Sequence, residues 1–169
     1  MTFKSIDIKD MTFNPFTLIG NEWMLITAGN KEGFNTMTAS WGGLGVFWGK
    51  NAATIYVRPT RYTKEFIDRE DVFSLNFFGE EHREALNLCG RVSGRDMDKV
   101  KAANLTPVFY NGTTYFKEAK MVLLCKKMYH TDIDLLGFDQ IHYDELMYPN
   151  RDYHTIYIGE IVKALVKED

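Results

Sequence analysis

Trp23-Met24-Leu25-Ile26-Thr27-Ala28, Phe34-Asn35-Thr36-Met37-Thr38-Ala39-Ser40, Gly45-Val46-Phe47-Trp48 and Thr54-Ile55-Tyr56-Val57-Arg58 are four short runs in close succession. β-branched and aromatic side chains favour a pleated, half-buried backbone in these runs. Turn residues separate the first pair, at Gly29-Asn30-Lys31-Glu32-Gly33, and the last, at Gly49-Lys50-Asn51. The stretch therefore reads as a β-meander, and this reading decides the fold class.

Further along, Val72–Phe78, Met121–Thr131 and His154–Val166 share the same composition and predict three more strands. Helical spacing is predicted for Thr63–Glu70, Glu80–Arg91 and Arg95–Ala103; in the second, Ala85, Leu88 and Cys89 repeat on one face. About seven strands with a few short helices inserted late favour a closed or partly closed antiparallel barrel over alternating β and α units. Gly43-Leu44-Gly45 is no dinucleotide fingerprint, because Trp48 stands where the third glycine belongs and no helix follows.

The chain has 169 residues, enough for one domain with a sizeable core, and no repeat or linker divides it. Hydrophobic residues at 45% and charged residues at 25% exclude a disordered or collagen-like chain. With 20 Lys and Arg against 23 Asp and Glu, the net charge of -3 offers no broad field for nucleic acid or an anionic membrane. Cys89 and Cys125 form no C-x-x-C pair and read as buried thiols in a reducing compartment. The first residues, Met1-Thr2-Phe3-Lys4-Ser5-Ile6-Asp7, carry acid early and lack the apolar core of a secretory signal, so a cytoplasmic location is expected.

Three segments carry candidate chemistry. Arg58-Pro59-Thr60-Arg61-Tyr62-Thr63-Lys64 places three cations where a strand gives way to a helix, which suits either an anion or a basic turn with a capping threonine. Ser93-Gly94-Arg95-Asp96 has the spacing of a capping arrangement between two helices. Small and hydroxyl residues crowd Asn35–Ser40 and end on Gly42-Gly43, a pattern for close approach to a flat ligand or for a tight barrel corner. His82, His130, His142 and His154 are dispersed without metal-ligand spacing, and no G-x-S-x-G elbow marks a nucleophile. Donors without acid-base machinery fit chemistry done by a bound cofactor.

In order along the chain, Asn35–Trp41, Arg58–Thr63, Val72–Phe77, Ser93-Gly94-Arg95-Asp96 with Asp98-Lys99, and His154–Ile161 together resemble the flavin reductase-like family of FMN-binding split barrels. The resemblance implies one domain over residues 1–169, mostly β, an antiparallel split barrel of Greek-key type with short helices inserted. It implies FMN as cofactor, with FAD as the competitor, and NAD(P)H as electron donor, the electrons passing to a small molecule or redox-protein acceptor. The alternative within the family is an FMN electron carrier reduced by a partner protein. A homodimer is implied, with no metal.

Residue by residue, the resemblance implies flavin contacts from Met37, Thr38, Ala39, Ser40 and Trp41, and phosphate contacts from Arg58, Arg61, Thr63 and Lys64, with Pro59 and Tyr62 of the same turn also cofactor-binding. Asn76, Cys89, Gly90, Ser93, Asp98 and Lys99 match positions around the flavin. His154 matches a histidine near the nicotinamide and is the implied catalytic residue. The chain reads Asp152-Tyr153-His154 where the family commonly has Gly-Asp-His, and its acidic, aromatic stretch from Asp139 to Asp152 is similar to the flavoredoxin branch.

Overall fold

The computed structural model describes residues 2–168. A short strand, β1 (Phe3–Ile6), precedes helix α1 (Pro15–Thr17), which widens into a π-helical turn, Leu18–Glu22. Asn14 caps α1 through its Oδ1, which accepts the N–H of Phe16 and of Thr17, and Pro15 occupies the first turn. Two hairpins follow: β2 (Met24–Asn30) with β3 (Gly33–Ala39), then β4 (Gly42–Phe47) with β5 (Lys50–Val57). The remaining strands and α-helices are α2 (Thr63–Arg69), β6 (Val72–Phe77), α3 (Arg83–Arg91), α4 (Lys99–Ala102), β7 (Pro107–Tyr110), β8 (Thr113–Phe116), β9 (Met121–Asp132), α5 (His142–Met147) and β10 (Thr155–Lys167). No helix among the described residues is long and apolar enough to cross a membrane.

The main sheet runs β3-β2-β6-β9-β10-β5-β4, antiparallel throughout, and β1 pairs with the far end of β10. Its two outermost strands, β3 and β4, are joined by only Ser40 and Trp41. A flat sheet of seven strands would hold them roughly 29 Å apart, whereas the link spans about 10 Å. The sheet must therefore roll, and the barrel closes through covalent chain between β3 and β4. This corrects the continuous meander expected for residues 23–58: β3 and β4 do not pair, and the two hairpins stand at opposite ends of the sheet.

Alternation along the strands supplies two cores. Ile26, Ile55, Phe73, Leu75, Leu123 and Tyr157 fill the barrel. Leu25, Val122 and Leu124 point the other way, against Leu86 and Cys89 of α3 and Phe116 of the β7–β8 hairpin. Both faces of the central strands are thus covered, so Phe73–Phe77 of β6 and Met121–Cys125 of β9 are buried at every residue. Cys89 and Cys125 are free and buried, and burial pushes both thiols up, Cys89 to about 11. The third predicted helix shrinks to Lys99–Ala102, because Arg95–Met97 form a turn closed by the N–H of Asp96 and of Met97 on the carbonyl of Ser93.

Candidate functional site

Because β3 ends the sheet, the backbone of Met37–Ala39 has no strand beyond it. Met37, Thr38, Ala39, Ser40 and Trp41 line a cavity of about 270 Å³ whose other walls are Tyr56, Arg58, Arg61 and His154. Tyr56, near the end of β5, and Arg58, the first residue after it, are two apart, so the extended backbone turns both to the same side. Ser40 and Thr38 continue into a cavity of about 460 Å³ floored by Leu86, Asn87 and Gly90 of α3. The Thr38 hydroxyl donates to the Leu86 carbonyl, tying α3 to the strand. A Cβ on Gly90 would stand 3.1 Å from Thr38 Cβ, so the glycine permits this approach.

The basic turn is drawn tight by the Arg61 N–H on the Arg58 carbonyl, 3.0 Å. Arg61 Nη1 donates to the Gly90 carbonyl at 2.8 Å, and among the described residues its guanidinium enters no ion pair. Arg58 instead holds the segment after β9: Nη1 donates to Asp152 Oδ2 at 2.6 Å, Nη2 to the Met147 carbonyl at 2.8 Å, and its guanidinium lies 5.1 Å from the Tyr148 ring centre. The Asp152 carboxyl is held below the usual range chiefly by that hydrogen bond.

Neither threonine caps α2. Tyr62 stands at the N-cap without a side-chain bond, and Thr63 is buried, accepting from Asn35 Nδ2 at 2.8 Å. Pro59 is exposed on the turn, and Lys64 faces Asp68 at 2.8 Å. Pro59, Tyr62, Thr63 and Lys64 thus brace the turn beside the cavity without lining it.

His154 is buried between Trp41, 5.3 Å away between ring centres, and Tyr148. Tyr148 Oη and His154 Nδ1 share a hydrogen bond of 2.8 Å. Burial lowers the imidazole to about 4, helped by the positive charge of Arg58 and opposed by Asp152. The ring is neutral at pH 7, so it can offer or accept one hydrogen bond but supplies no charge.

The other sequence candidates lie elsewhere. Asn76 is fully buried: its Nδ2 donates to the Leu25 carbonyl and to the hydroxyls of Thr27 and Ser74, and its Oδ1 accepts the Phe116 N–H at 3.1 Å. It ties the β7–β8 hairpin to the barrel. The Cys89 thiol faces the second core. Lys99 is 4% exposed, its Nζ donating to the carbonyls of Cys89 and Val92 at the end of α3. Ser93 Oγ accepts the Arg95 N–H, and Asp98, not Ser93, caps α4. Tyr56 and Tyr148 complete the site and were not among the sequence candidates. Period-two spacing from Arg58 points to Tyr56, whereas nothing local points to Tyr148.

Many solved structures share this fold, three of which follow. An FMN-binding domain of a flavin reductases-like enzyme from Shewanella baltica superposes with a TM-score of 0.68 at 15% identity, covering 98% of this chain and 77% of the other. Flavoredoxin of Desulfovibrio vulgaris gives 0.67 at 19% identity, covering 98% and 76%. Flavoredoxin from Methanosarcina acetivorans gives 0.67 at 22%, with the same coverage. No curated protein matches the sequence. The model of the flavin reductase like domain matches residues 17–169, so nearly the whole barrel, with its rolled sheet and the β3–β4 crossover, belongs to that family.

Proposed function

We propose that this chain is a flavin-dependent oxidoreductase that takes a hydride from NAD(P)H and passes electrons to an acceptor. The observation carrying the reading is the meeting, in one cavity, of a strand edge and an arginine that find no pairing strand and no ion pair among the described residues, and a neutral buried histidine. Flavin fits this donor set: backbone and hydroxyl groups of Thr38–Trp41 suit the polar edge of a flat ring system, and Arg61 with Arg58 suits a phosphate. Bound flavin supplies the hydride-accepting ring. Backbone N–H groups along Thr38–Trp41 would stabilise negative charge at the polar edge. His154, neutral and held by Tyr148, would orient the donor.

FMN is the cofactor favoured here, since the similar structures include an FMN-binding domain. FAD is the competitor, because an NADH:FAD oxidoreductase from Streptomyces globisporus, in complex with NAD and FAD fragments, has a TM-score of 0.63. The same reading has the chain acting in the cytoplasm as a homodimer, without nucleic acid or membrane, its acceptor a small molecule or a redox protein. Purified protein loaded with FMN should bleach on anaerobic addition of NADH or NADPH. Persistent yellow colour with both donors would replace this reading with an electron carrier reduced by a partner protein. Failure to take up either flavin would overturn both.

A further inference from the structure

Between β9 and β10 the chain returns through residues 133–154, and this segment sorts its apolar residues into two sets. The aromatic set points inward: the ring centres of Phe138, Tyr148 and Tyr153 lie 5.0 to 6.3 Å from one another, with Tyr148 buried and the other two half-buried. The aliphatic set points outward. Leu136 is 92% exposed, Leu146 68% and Ile141 59%, with Leu135 at 42%. In α5, Asp144, which accepts the Tyr153 hydroxyl, and half-buried Met147 mark the inner face, so helical spacing turns Glu145 and Leu146 to solvent. The aromatic set already holds the segment down. Aliphatic side chains gathered on its outer side add little to folding and mark a contact surface.

Charge narrows the occupant. Residues 128–150 contain five acids, Asp132, Asp134, Asp139, Asp144 and Glu145, and no Lys or Arg. None of the five enters an ion pair among the described residues. Asp139 and Glu145 are exposed on either side of Ile141. An apolar centre with an unneutralised acidic rim selects a partner whose rim is basic. A second copy of this chain is the poorer occupant, since two such faces would set acid against acid. Four aliphatic side chains also cover only a few hundred Å², against roughly 800 Å² per partner in a stable complex; short-lived redox encounters lie at that low end. The face adjoins the candidate site: two residues past Leu146, Tyr148 bonds His154 and stands against Arg58.

We propose that the outer face of residues 135–146 docks a redox protein whose contact surface has an apolar centre ringed by lysine and arginine, and that this partner is the electron acceptor. The docking stands on the face alone, whereas the acceptor role rests on the flavin reading.

Cytochrome c, a small redox protein with lysines around an apolar haem edge, is the probe, and an acidic rubredoxin the control. Ferrous cytochrome c should shift the amide resonances of residues 135–146 saturably, with affinity falling roughly fivefold or more between about 20 and about 300 mM salt. Rubredoxin should leave them in place. Leu136→Ser and Leu146→Ser should each weaken the complex by roughly threefold or more, and Asp139→Lys combined with Glu145→Lys by roughly tenfold or more, with melting temperature and FMN uptake kept. In the loaded, anaerobically reduced protein, each flavin returns to its oxidised form by giving up two electrons and two protons, reducing two ferric haems. That rate should fall roughly fivefold or more in the charge-reversed variant, while reoxidation by dioxygen stays within about twofold. The docking is overturned by shifts confined to other surfaces, by equal binding of rubredoxin, by indifference to both sets of variants, or by concentration-dependent shifts of residues 135–146 without cytochrome c, which would give the face to a second copy. Docking by loaded protein without electron transfer overturns the acceptor role. Failure to take up flavin, with cytochrome c still docked on this face, would strike the flavin reading and uphold the docking.

Discussion

Tyr148 Oη lies 2.8 Å from Nδ1 of His154, which fixes the imidazole from a segment that Arg58 in turn holds down through Asp152 and the Met147 carbonyl. Burial makes the charged ring costly, and the folded His154 protonates only near pH 4, against 6.5 for a free histidine. Between those values an unfolded chain binds a proton that the folded chain does not. This contribution to stability is therefore complete above about pH 6.5 and is lost as the pH falls toward about 4. Imidazole resonances of His154 should stay in the neutral pattern from pH 8 to 5.5. In His154→Gln the fall of melting temperature across that acid window should be shallower than in the wild type. Titration of the ring near 6.5 would contradict the packing described.

The same neutrality shapes the kinetic expectation. His154→Gln should keep FMN, since the arginine turn is untouched, yet reduction by the preferred nicotinamide should slow by about tenfold or more through misplaced donor geometry. Stopped-flow reduction of the loaded protein reads this directly. An unchanged rate would leave His154 a structural partner of Tyr148 alone.

Arg61 and Arg58 should separate by experiment although both line the cavity. A charge-assisted contact to phosphate is worth about 1.5–3 kcal/mol, so Arg61→Ala should weaken FMN by roughly 10- to 150-fold and leave the segment from 133 to 152 as protected from chymotrypsin as before. Arg58→Ala should weaken FMN and also expose that segment, because the contacts to Asp152, Met147 and Tyr148 go together. Equal protease sensitivity in the two variants would show that Arg58 does not latch the segment.

Much of this arrangement was legible in residue order. Short β-runs with glycine turns fixed both hairpins, and the crowding of small residues before Gly42-Gly43 marked the crossover that lines the cavity. What escaped was mostly long-range. The rolling of the sheet depends on β3 and β4 lying at opposite ends, which no local pattern encodes, and Tyr148 reaches His154 from a segment without apolar periodicity. The β7–β8 hairpin is different: Asn111-Gly112, with φ of +46° and +80°, is a strong two-residue hairpin signal. Asn76 stood among the positions around the flavin through the family resemblance alone, and sequence cannot show that Leu25, Thr27, Ser74 and Phe116 engage its amide.

That core role gives Asn76 a signature opposite to a cofactor contact. Asn76→Leu strands the buried Phe116 N–H and should lower stability by about 1–3 kcal/mol. Denaturant unfolding should show the loss, and FMN affinity of the folded fraction should stay within about twofold. A variant of normal stability that releases flavin would return Asn76 to the site.

Gly42 and Gly43 open β4 directly after the crossover, with different surroundings, and alanine should tell them apart. A Cβ on Gly42 would lie 2.9 Å from the Thr54 carbonyl oxygen and 3.1 Å from Met24 Cε. The oxygen belongs to the β4–β5 ladder and cannot retreat without breaking the Gly43–Thr54 register, whereas the methionine end can move. Gly43 has open space on that side. Gly42→Ala should therefore cost on the order of 1–3 kcal/mol, as overpacking at a fixed backbone does. Gly43→Ala should leave the melting temperature nearly unchanged. Because the crossover carries Ser40 and Trp41, Gly42→Ala should also weaken FMN uptake at temperatures where the variant is fully folded. Equal stability of the two variants would mean that the sheet closes with more freedom between β3 and β4 than the Gly42–Thr54 contact allows.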